Sequence, residues 1–383
     1  MKIAVPAEVN PGEPRVAATP DTVKRLSGLG ARFTVQSGAG LKSGITDADY
    51  EAVGATIVAT GAEAVADADV VLKVRRPEEG ELSSYKAGAL VLGIMDPYGN
   101  DAALAALAKA GVVAFAMELM PRITRAQVMD VLSSQANLAG YRAVIDAAGE
   151  FGRALPMMMT AAGTVSAARV FVMGAGVAGL QAIATARRLG AVVTATDVRP
   201  AAKEQVESLG AKFVAVVDDE FKQAETATGY AKPMSADYQA KQAALVAEHI
   251  KKQDIVITTA LIPGRPAPRL VSAAMVASMK PGSVLVDLAV ERGGNVEGAV
   301  PDAVTEVGGV KIVGYLNMPG RVAASTSQLY AKNLFSFLET MVDKGSKSLA
   351  VKWDDELVKA TLLTRDGAVV HPNFAPKVEG AAQ

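Results

Sequence analysis

The run Gly174-Ala175-Gly176-Val177-Ala178-Gly179 constrains this chain more than any other feature. It directly follows the apolar stretch Val170-Phe171-Val172-Met173 and directly precedes Leu180-Gln181-Ala182-Ile183-Ala184-Thr185-Ala186. A β-branched run, a glycine-rich turn and an alanine-rich run predict strand, turn and helix in that order. Gly174 permits the tight turn, Gly176 lets a ligand approach the backbone, and Gly179 lets the helix pack close to the strand. The next apolar run, Val192 to Asp197, ends in a carboxylate 18 residues beyond Gly179. Amide groups without partners at a helix start hold anionic phosphates. A carboxylate at the end of the second strand accepts hydrogen bonds from ribose hydroxyls and repels a 2′-phosphate. The constellation therefore predicts a dinucleotide site for NAD(H) rather than NADP(H). Arg199, two residues on, is of a type that can serve a 2′-phosphate, but it is read here as a solvated loop charge.

The rest of the chain continues the alternation. Ile3-Val5, Phe33-Val35, Val70-Val74, Ala89-Ile94 and Val112-Met117 read as strands. Helices are expected over Pro20-Leu29, with Thr19 as N-cap, and over Ala102-Ala110, closed by Gly111. A long helix is expected over Asn137-Phe151, with the domain crossing placed there. Lys212-Val217, Ile255-Thr259, Ser283-Leu288 and Lys311-Val313 read as later strands, and Ser325-Val342 as a second long helix. The fold class that follows is α/β: two Rossmann-like domains, each a mainly parallel sheet with helices on both faces, joined by long helices. The expected boundaries are 1–135 plus 325–375 for a discontinuous first domain, 136–324 for the nucleotide-binding domain, and a loose tail over 376–383. One connection, 218–239, is far longer than the roughly 2–6 residues usual in α/β units and is read as a mobile, functional loop.

Composition narrows the chemistry. The chain has 383 residues, no cysteine, two histidines (His249 and His371) and a formal net charge of -1. Disulfides, thiolate catalysis and cysteine-bound metal are excluded, and no metal site is expected. The balanced charge leaves no electrostatic footprint for nucleic acid. No signal peptide and no membrane span are expected, so the chain reads as soluble and cytoplasmic.

A second constellation is Arg122, Gln127, Asp130 and Ser133. Spacing by three predicts that the last three share one side of a helix. From spacing alone two readings stay open: a functional face, or a capping box between Thr124 and Gln127 beside a solvated Asp130.

Longer stretches carry a family resemblance. They include Glu13-Pro14-Arg15-Val16-Ala17, Pro121-Arg122-Ile123-Thr124-Arg125-Ala126-Gln127, Ser133-Ser134-Gln135-Ala136-Asn137-Leu138-Ala139-Gly140-Tyr141, Pro156-Met157-Met158-Met159-Thr160-Ala161-Ala162-Gly163-Thr164, Ala195-Thr196-Asp197-Val198-Arg199 and Thr258-Thr259-Ala260-Leu261-Ile262-Pro263-Gly264. The chain resembles, to about His371, the soluble NAD(H)-binding part of proton-translocating nicotinamide nucleotide transhydrogenases. The resemblance implies that Arg122, Gln127, Asp130 and Ser133 orient the nicotinamide, the first three as the catalytic set. It implies that Val177, Asp197, Val198, Arg199 and Leu261 surround the adenosine and ribose, and that Gly229 and Tyr230 sit in a loop closing over the nucleotide. It further implies a homodimer, an NADP(H)-binding partner and a membrane-spanning proton-channel partner, with this chain peripheral at the cytoplasmic face of the inner membrane.

Two other readings compete. Alanine dehydrogenase is a relative with the same fold. Arg15 and Lys73 match its substrate-binding cations, but its catalytic histidine should fall near Met95-Asp96-Pro97, where there is none, and its catalytic aspartate falls at Glu291. Oxidative deamination needs a positioned acid/base. His249 is expected in a surface or helix-end role and His371 in a structural one. The third reading, an NAD-sensing module without chemistry, is set against Arg122, Gln127 and Asp130, which suggest a nicotinamide end built for reaction.

Overall fold

The computed structural model describes residues 1–224 and 234–376. The chain divides into two compact units, one formed by 1–135 and 320–383, the other by 136–319. The helix Val131–Glu150 starts in the first and continues in the second.

The first unit holds a six-stranded sheet of β1 (Lys2–Val5), β2 (Arg32–Gln36), β3 (Thr56–Val58), β4 (Val70–Arg75), β5 (Leu90–Ile94) and β6 (Val113–Ala116). Their order is β3-β2-β1-β4-β5-β6, and every pairing is parallel. Alternation along the strands splits the core in two. Ile3, Val5, Val70, Leu72, Val74, Leu92 and Phe115 face one side, with Val23 and Leu26 of the helix Pro20–Gly28 and Tyr330, Leu334 and Phe337 of the helix Ala323–Glu339. Ala4, Val71, Val91 and Ala114 face the other, with Leu104 and Leu107 of the helix Asp101–Lys109. Both faces are covered, which explains why these strands read as continuous apolar runs.

The second unit begins with a hairpin of β7 (Met158–Thr160) and β8 (Gly163–Val165), all of whose residues are exposed. Its main sheet contains β9 (Arg169–Met173), β10 (Val192–Thr196), β11 (Lys212–Phe213), β12 (Ile255–Thr258), β13 (Val284–Asp287), β14 (Val304–Val307) and β15 (Val310–Val313). The order is β11-β10-β9-β12-β13-β15-β14, parallel throughout except for β14 against β15. The chain reverses its direction of sheet growth between β9 and β12, the place where open α/β sheets leave a crevice at the carboxyl ends of their strands. Val170, Val172, Val193, Ile255 and Val284 pack on Ala182, Ile183 and Ala186 of the helix Val177–Arg188. Phe171, Met173, Val256 and Leu285 pack on Val246 and Ile250 of the helix Ala236–Ile250.

Several elements depart from the sequence-based expectation. The expected strand Lys212-Val217 is two residues long, and Val217 is exposed. The long helix begins at Val131, six residues earlier than expected. Both ends of the 218–239 connection are built in: Asp218 caps a short helix by accepting from the Phe221 amide (2.9 Å), and the Phe221 ring stacks on Tyr238 at 6.4 Å. Gly229 and Tyr230, at its centre, lie outside the described residues, as do residues 377–383. Among the described residues no helix is long and apolar enough to cross a membrane, and no cluster suited to a metal ion occurs.

Candidate nucleotide site

At the switch point the turn after β9 is set by three glycines with three different constraints. Gly174 has φ +103°, and a Cβ there would lie 2.5 Å from Thr259 Oγ1. A Cβ on Gly179 would lie 1.8 Å from the Gly174 carbonyl oxygen. Gly176 is different: nothing lies within 4 Å of its virtual Cβ. The first and third glycines are demanded by the protein itself, whereas the second faces open space. Gly176 is the N-cap of the helix Val177–Arg188, and no side chain caps that helix start. Its first-turn amides are thus presented to an anion.

Side chains from neighbouring elements hold this turn. Thr259 Oγ1, just beyond β12, donates to the Gly174 carbonyl at 3.0 Å. Asn295, fully buried, accepts from the Ala260 amide (3.0 Å) and donates to the Ala260 and Pro268 carbonyls (2.9 and 2.8 Å), fixing the loop after β12. Asp287 is buried at the end of β13; burial pushes its carboxyl up, opposed by the amides of Val296 and Ala289 that it accepts from. Gly140 of the long helix allows backbone contact with Ala178, since a Cβ there would meet the Ala178 oxygen at 2.0 Å. Sequence reasoning assigned no role to Thr259, Asn295 or Gly140. Only Thr259 had a visible signal, as a polar residue closing an apolar strand.

Gly174, Gly176, Val177, Gly179, Asp197, Val198, Arg199 and Leu261 all lie in the segments that leave the carboxyl ends of β9, β10 and β12. Val177, Val198 and Leu261 are exposed, an apolar set where a soluble surface is ordinarily polar. Asp197 is nearly buried and accepts from the Ala175 amide at 2.8 Å. Arg199 is not a solvated loop charge: its Nε and Nη2 lie 2.9 and 3.0 Å from the two Asp197 carboxylate oxygens. A carboxylate two residues away, desolvated by its own turn, is a stronger partner than water.

Arg122, Gln127, Asp130 and Ser133 belong to the first unit. The shared helical face is not there. Thr124 to Met129 form a 3-10 turn with Ile123 at its N-cap, so the Thr124–Gln127 capping box is also absent. Asp130 instead starts the long helix, accepting from the Ser133 amide at 2.9 Å and from the Ser133 hydroxyl. Arg122 and Gln127 are exposed, while Asp130 and Ser133 are half-buried.

The same unit buries a charge network. Arg15 Nε and Nη2 pair with Glu13 at 2.7 and 2.6 Å, and Nη1 donates to Gln135 at 2.7 Å. Arg75 Nε also reaches Glu13 at 2.8 Å. Lys73, fully buried, pairs with Glu81 at 2.6 Å and Glu8 at 3.7 Å. Burial raises Glu13, but hydrogen bonds and charge from Arg15, then Arg75, outweigh it and bring the carboxyl to about 2. For Glu8 burial wins over Lys73, and its carboxyl is pushed up to about 7. Around Met95-Asp96-Pro97, Glu118 accepts from the Met95 amide at 2.9 Å and Asp96 has φ +47°. Glu291 accepts from the Asn317 amide at 2.6 Å. His249 is half-buried, with Nε2 2.8 Å from Thr194 Oγ1 and its ring edge on Phe171, rather than at the surface. His371 is buried, and Nδ1 accepts from the Asn373 amide at 3.2 Å.

Comparison with known proteins gives a consistent picture. The family model described as "Alanine dehydrogenase/PNT, N-terminal domain" matches residues 4–139, and "Alanine dehydrogenase/PNT, C-terminal domain" matches 143–372. An NAD(P) transhydrogenase alpha-subunit chain of Rhodospirillum rubrum, the first of the pieces into which that subunit is divided, is 58% identical over 377 residues, covering 97% of this chain and 98% of that one. The alanine dehydrogenase of Halomonas elongata is 32% identical, covering 97% and 95%. A crystal structure of a transhydrogenase from Sinorhizobium meliloti superposes with a TM-score of 0.89 at 65% identity, covering 97% of this chain and all of that one.

Proposed function

The chain belongs to the alanine dehydrogenase/PNT family, and from that premise we propose that it is the NAD(H)-binding component of a transhydrogenase. The observation that carries the nucleotide assignment is the contrast among the glycines, with room for a pyrophosphate over Gly176 alone and an uncapped helix start behind it. Those amides hold the phosphates, Asp197 takes the ribose hydroxyls, and Val177, Val198 and Leu261 cover the adenine. Arg122, Gln127, Asp130 and Ser133 orient the nicotinamide.

Bound NADH supplies a hydride from C4, which C4 of NADP⁺ on a partner component accepts, giving NAD⁺ and NADPH. Neither carbon gains or loses a proton in that exchange. What the chain contributes is therefore orientation and exclusion of water. A positioned imidazole is not needed, and both histidines are used in structural contacts. The alanine-dehydrogenase reading is disfavoured by the charge network: Arg15 has Glu13 and Gln135 on its guanidinium, and Lys73 has Glu81 and Glu8 on its ammonium. Working partners are an NADP(H)-binding component and a membrane component that moves the coupled proton, with two copies of this chain in the assembly and its place at the cytoplasmic face of the membrane. Mixing the chain with the NADP(H)-binding component of a transhydrogenase should give NADPH formation that depends on NADH. No NADPH above the rate without this chain would refute the assignment.

A further inference from the structure

Asp197 is saturated. A carboxylate offers about four acceptor positions. Here Oδ1 accepts from the Arg199 amide (2.8 Å) and Nε (2.9 Å), and Oδ2 accepts from the Ala175 amide (2.8 Å) and Arg199 Nη2 (3.0 Å). The two amides belong to the backbone of the site and stay with it. The other two positions lie under a guanidinium whose side chain is 29% exposed, against 8% for Asp197. They are the pair of acceptors that open toward solvent, and the pair a ribose diol needs.

We infer that Arg199 is a second determinant of nucleotide choice, holding the ribose-side acceptors of Asp197 until a 2′,3′-diol replaces its two N–H donors with two O–H donors. The inference rests on the NAD(H) reading above. A 2′-phosphate cannot make that exchange, because it carries no hydrogen to donate and brings negative charge to a carboxylate. The same guanidinium is of the right charge and shape for a phosphate, since planar N–H forks match carboxylate and phosphate alike. Its capacity is consumed by Asp197. The pair is thus a latent 2′-phosphate receptor, switched off by the residue that selects the 2′-hydroxyl.

Two consequences separate this from plain repulsion by Asp197. Removing Asp197 should do more than abolish a penalty: it should release Arg199 to bind the phosphate. Removing Arg199 alone should not weaken NADH, because the guanidinium competes with the ribose for the same oxygens.

The test is equilibrium binding of NADH and of NADPH to the full chain, for the unmutated protein, Asp197→Ala, Arg199→Met and the double variant. NADPH should tighten about tenfold or more in Asp197→Ala, and the gain should disappear when Arg199→Met is added, as expected for a phosphate contact worth about 1.4 kcal/mol. In Arg199→Met alone, NADH should bind as tightly as before or more tightly, with NADPH still weak. Equal NADPH affinity in Asp197→Ala and in the double variant would overturn the inference, as would a tenfold loss of NADH affinity in Arg199→Met. Asp197→Asn keeps an acceptor for the Ala175 amide and repeats the comparison should the alanine variant not fold. If the unmutated chain binds neither nucleotide, the NAD(H) reading itself fails, and the cycle distinguishes the two failures.

Discussion

Gly176 and Gly179 are separated by one helical turn, yet substitution should act on them in opposite ways. At Gly179 a methyl group would be driven into the Gly174 carbonyl, 1.8 Å away, with backbone on both sides. Gly179→Ala should cost about 1–3 kcal/mol or more in unfolding free energy, because neither strand nor helix can yield without moving the other. Gly176 has φ -75° and ψ -167°, which any residue adopts, and no neighbour to clash with. Gly176→Ala should keep its stability within roughly 0.5 kcal/mol of the unmutated chain, while NADH affinity falls at least tenfold. Denaturant unfolding and NADH titration of both variants check this. A Gly176→Ala protein with unchanged NADH binding would show that the open space is not where the pyrophosphate sits. At this scale the glycine motif was legible because glycine is chosen for backbone reasons that spacing reveals. The Arg199 fork and the Asn295 clamp were not, since a side chain's partner depends on how loops from different strands meet.

Strands and helices buried on one clear face were the elements legible in the sequence. β9, with both faces covered, stands where its apolar run predicted, and the helix Pro20–Gly28 starts at Thr19, whose amide donates to Thr22 Oγ1 at 2.9 Å. Short edge elements were not legible. β3 and β14 carry few buried residues, and the β7–β8 hairpin has none, so no alternation marks them. The Gln127–Ser133 stretch failed for another reason: a spacing of three fits a helix face and equally a helix start, and Asp130 took the capping role. β4 has a further consequence, because it presents Lys73 beside Glu8. The Glu8 carboxyl is raised to about 7 from an ordinary value near 4.5, burial being the main cause. A group with a raised folded-state value contributes stability below its unfolded value and loses it as pH rises through the folded one. Glu8→Gln should thus be similar in stability to the unmutated chain near pH 5 and more stable near pH 8. The difference should grow between about 4.5 and about 7, by up to roughly 3 kcal/mol. Urea unfolding at the two pH values decides it, and a difference independent of pH would mean that Glu8 is ionised throughout.

Across the whole molecule, two sheets of the same family of topologies serve different ends. The first unit, with strands parallel throughout, buries its charges against one another; the second leaves its switch point open, uncapped and lined by exposed apolar residues. Residues 320–372 fall within the second family match, yet they fold with the first unit. The length and composition of the chain hinted at two domains, but only the tertiary contacts could return a C-terminal helix to an N-terminal sheet. An amino-acid dehydrogenase needs cations and an acid/base turned to its substrate, and this chain has satisfied its cations internally. Incubation with alanine and NAD⁺ should therefore give no NADH above the blank. A steady rise in absorbance that scales with pure protein would place the chain on the other branch of its family.

In the proposed reaction, hydride leaves a nucleotide held here and arrives on another held elsewhere without passing through solvent. This is tested most directly with NADH carrying deuterium at the transferred C4 position. The chain is mixed with the NADP(H)-binding component of a transhydrogenase and NADP⁺ in ordinary water, and the NADPH is analysed by mass. Direct transfer predicts that each NADPH carries one deuterium at C4 and that the water gains none. NADPH formed with ordinary hydrogen, and label lost to the solvent, would contradict it.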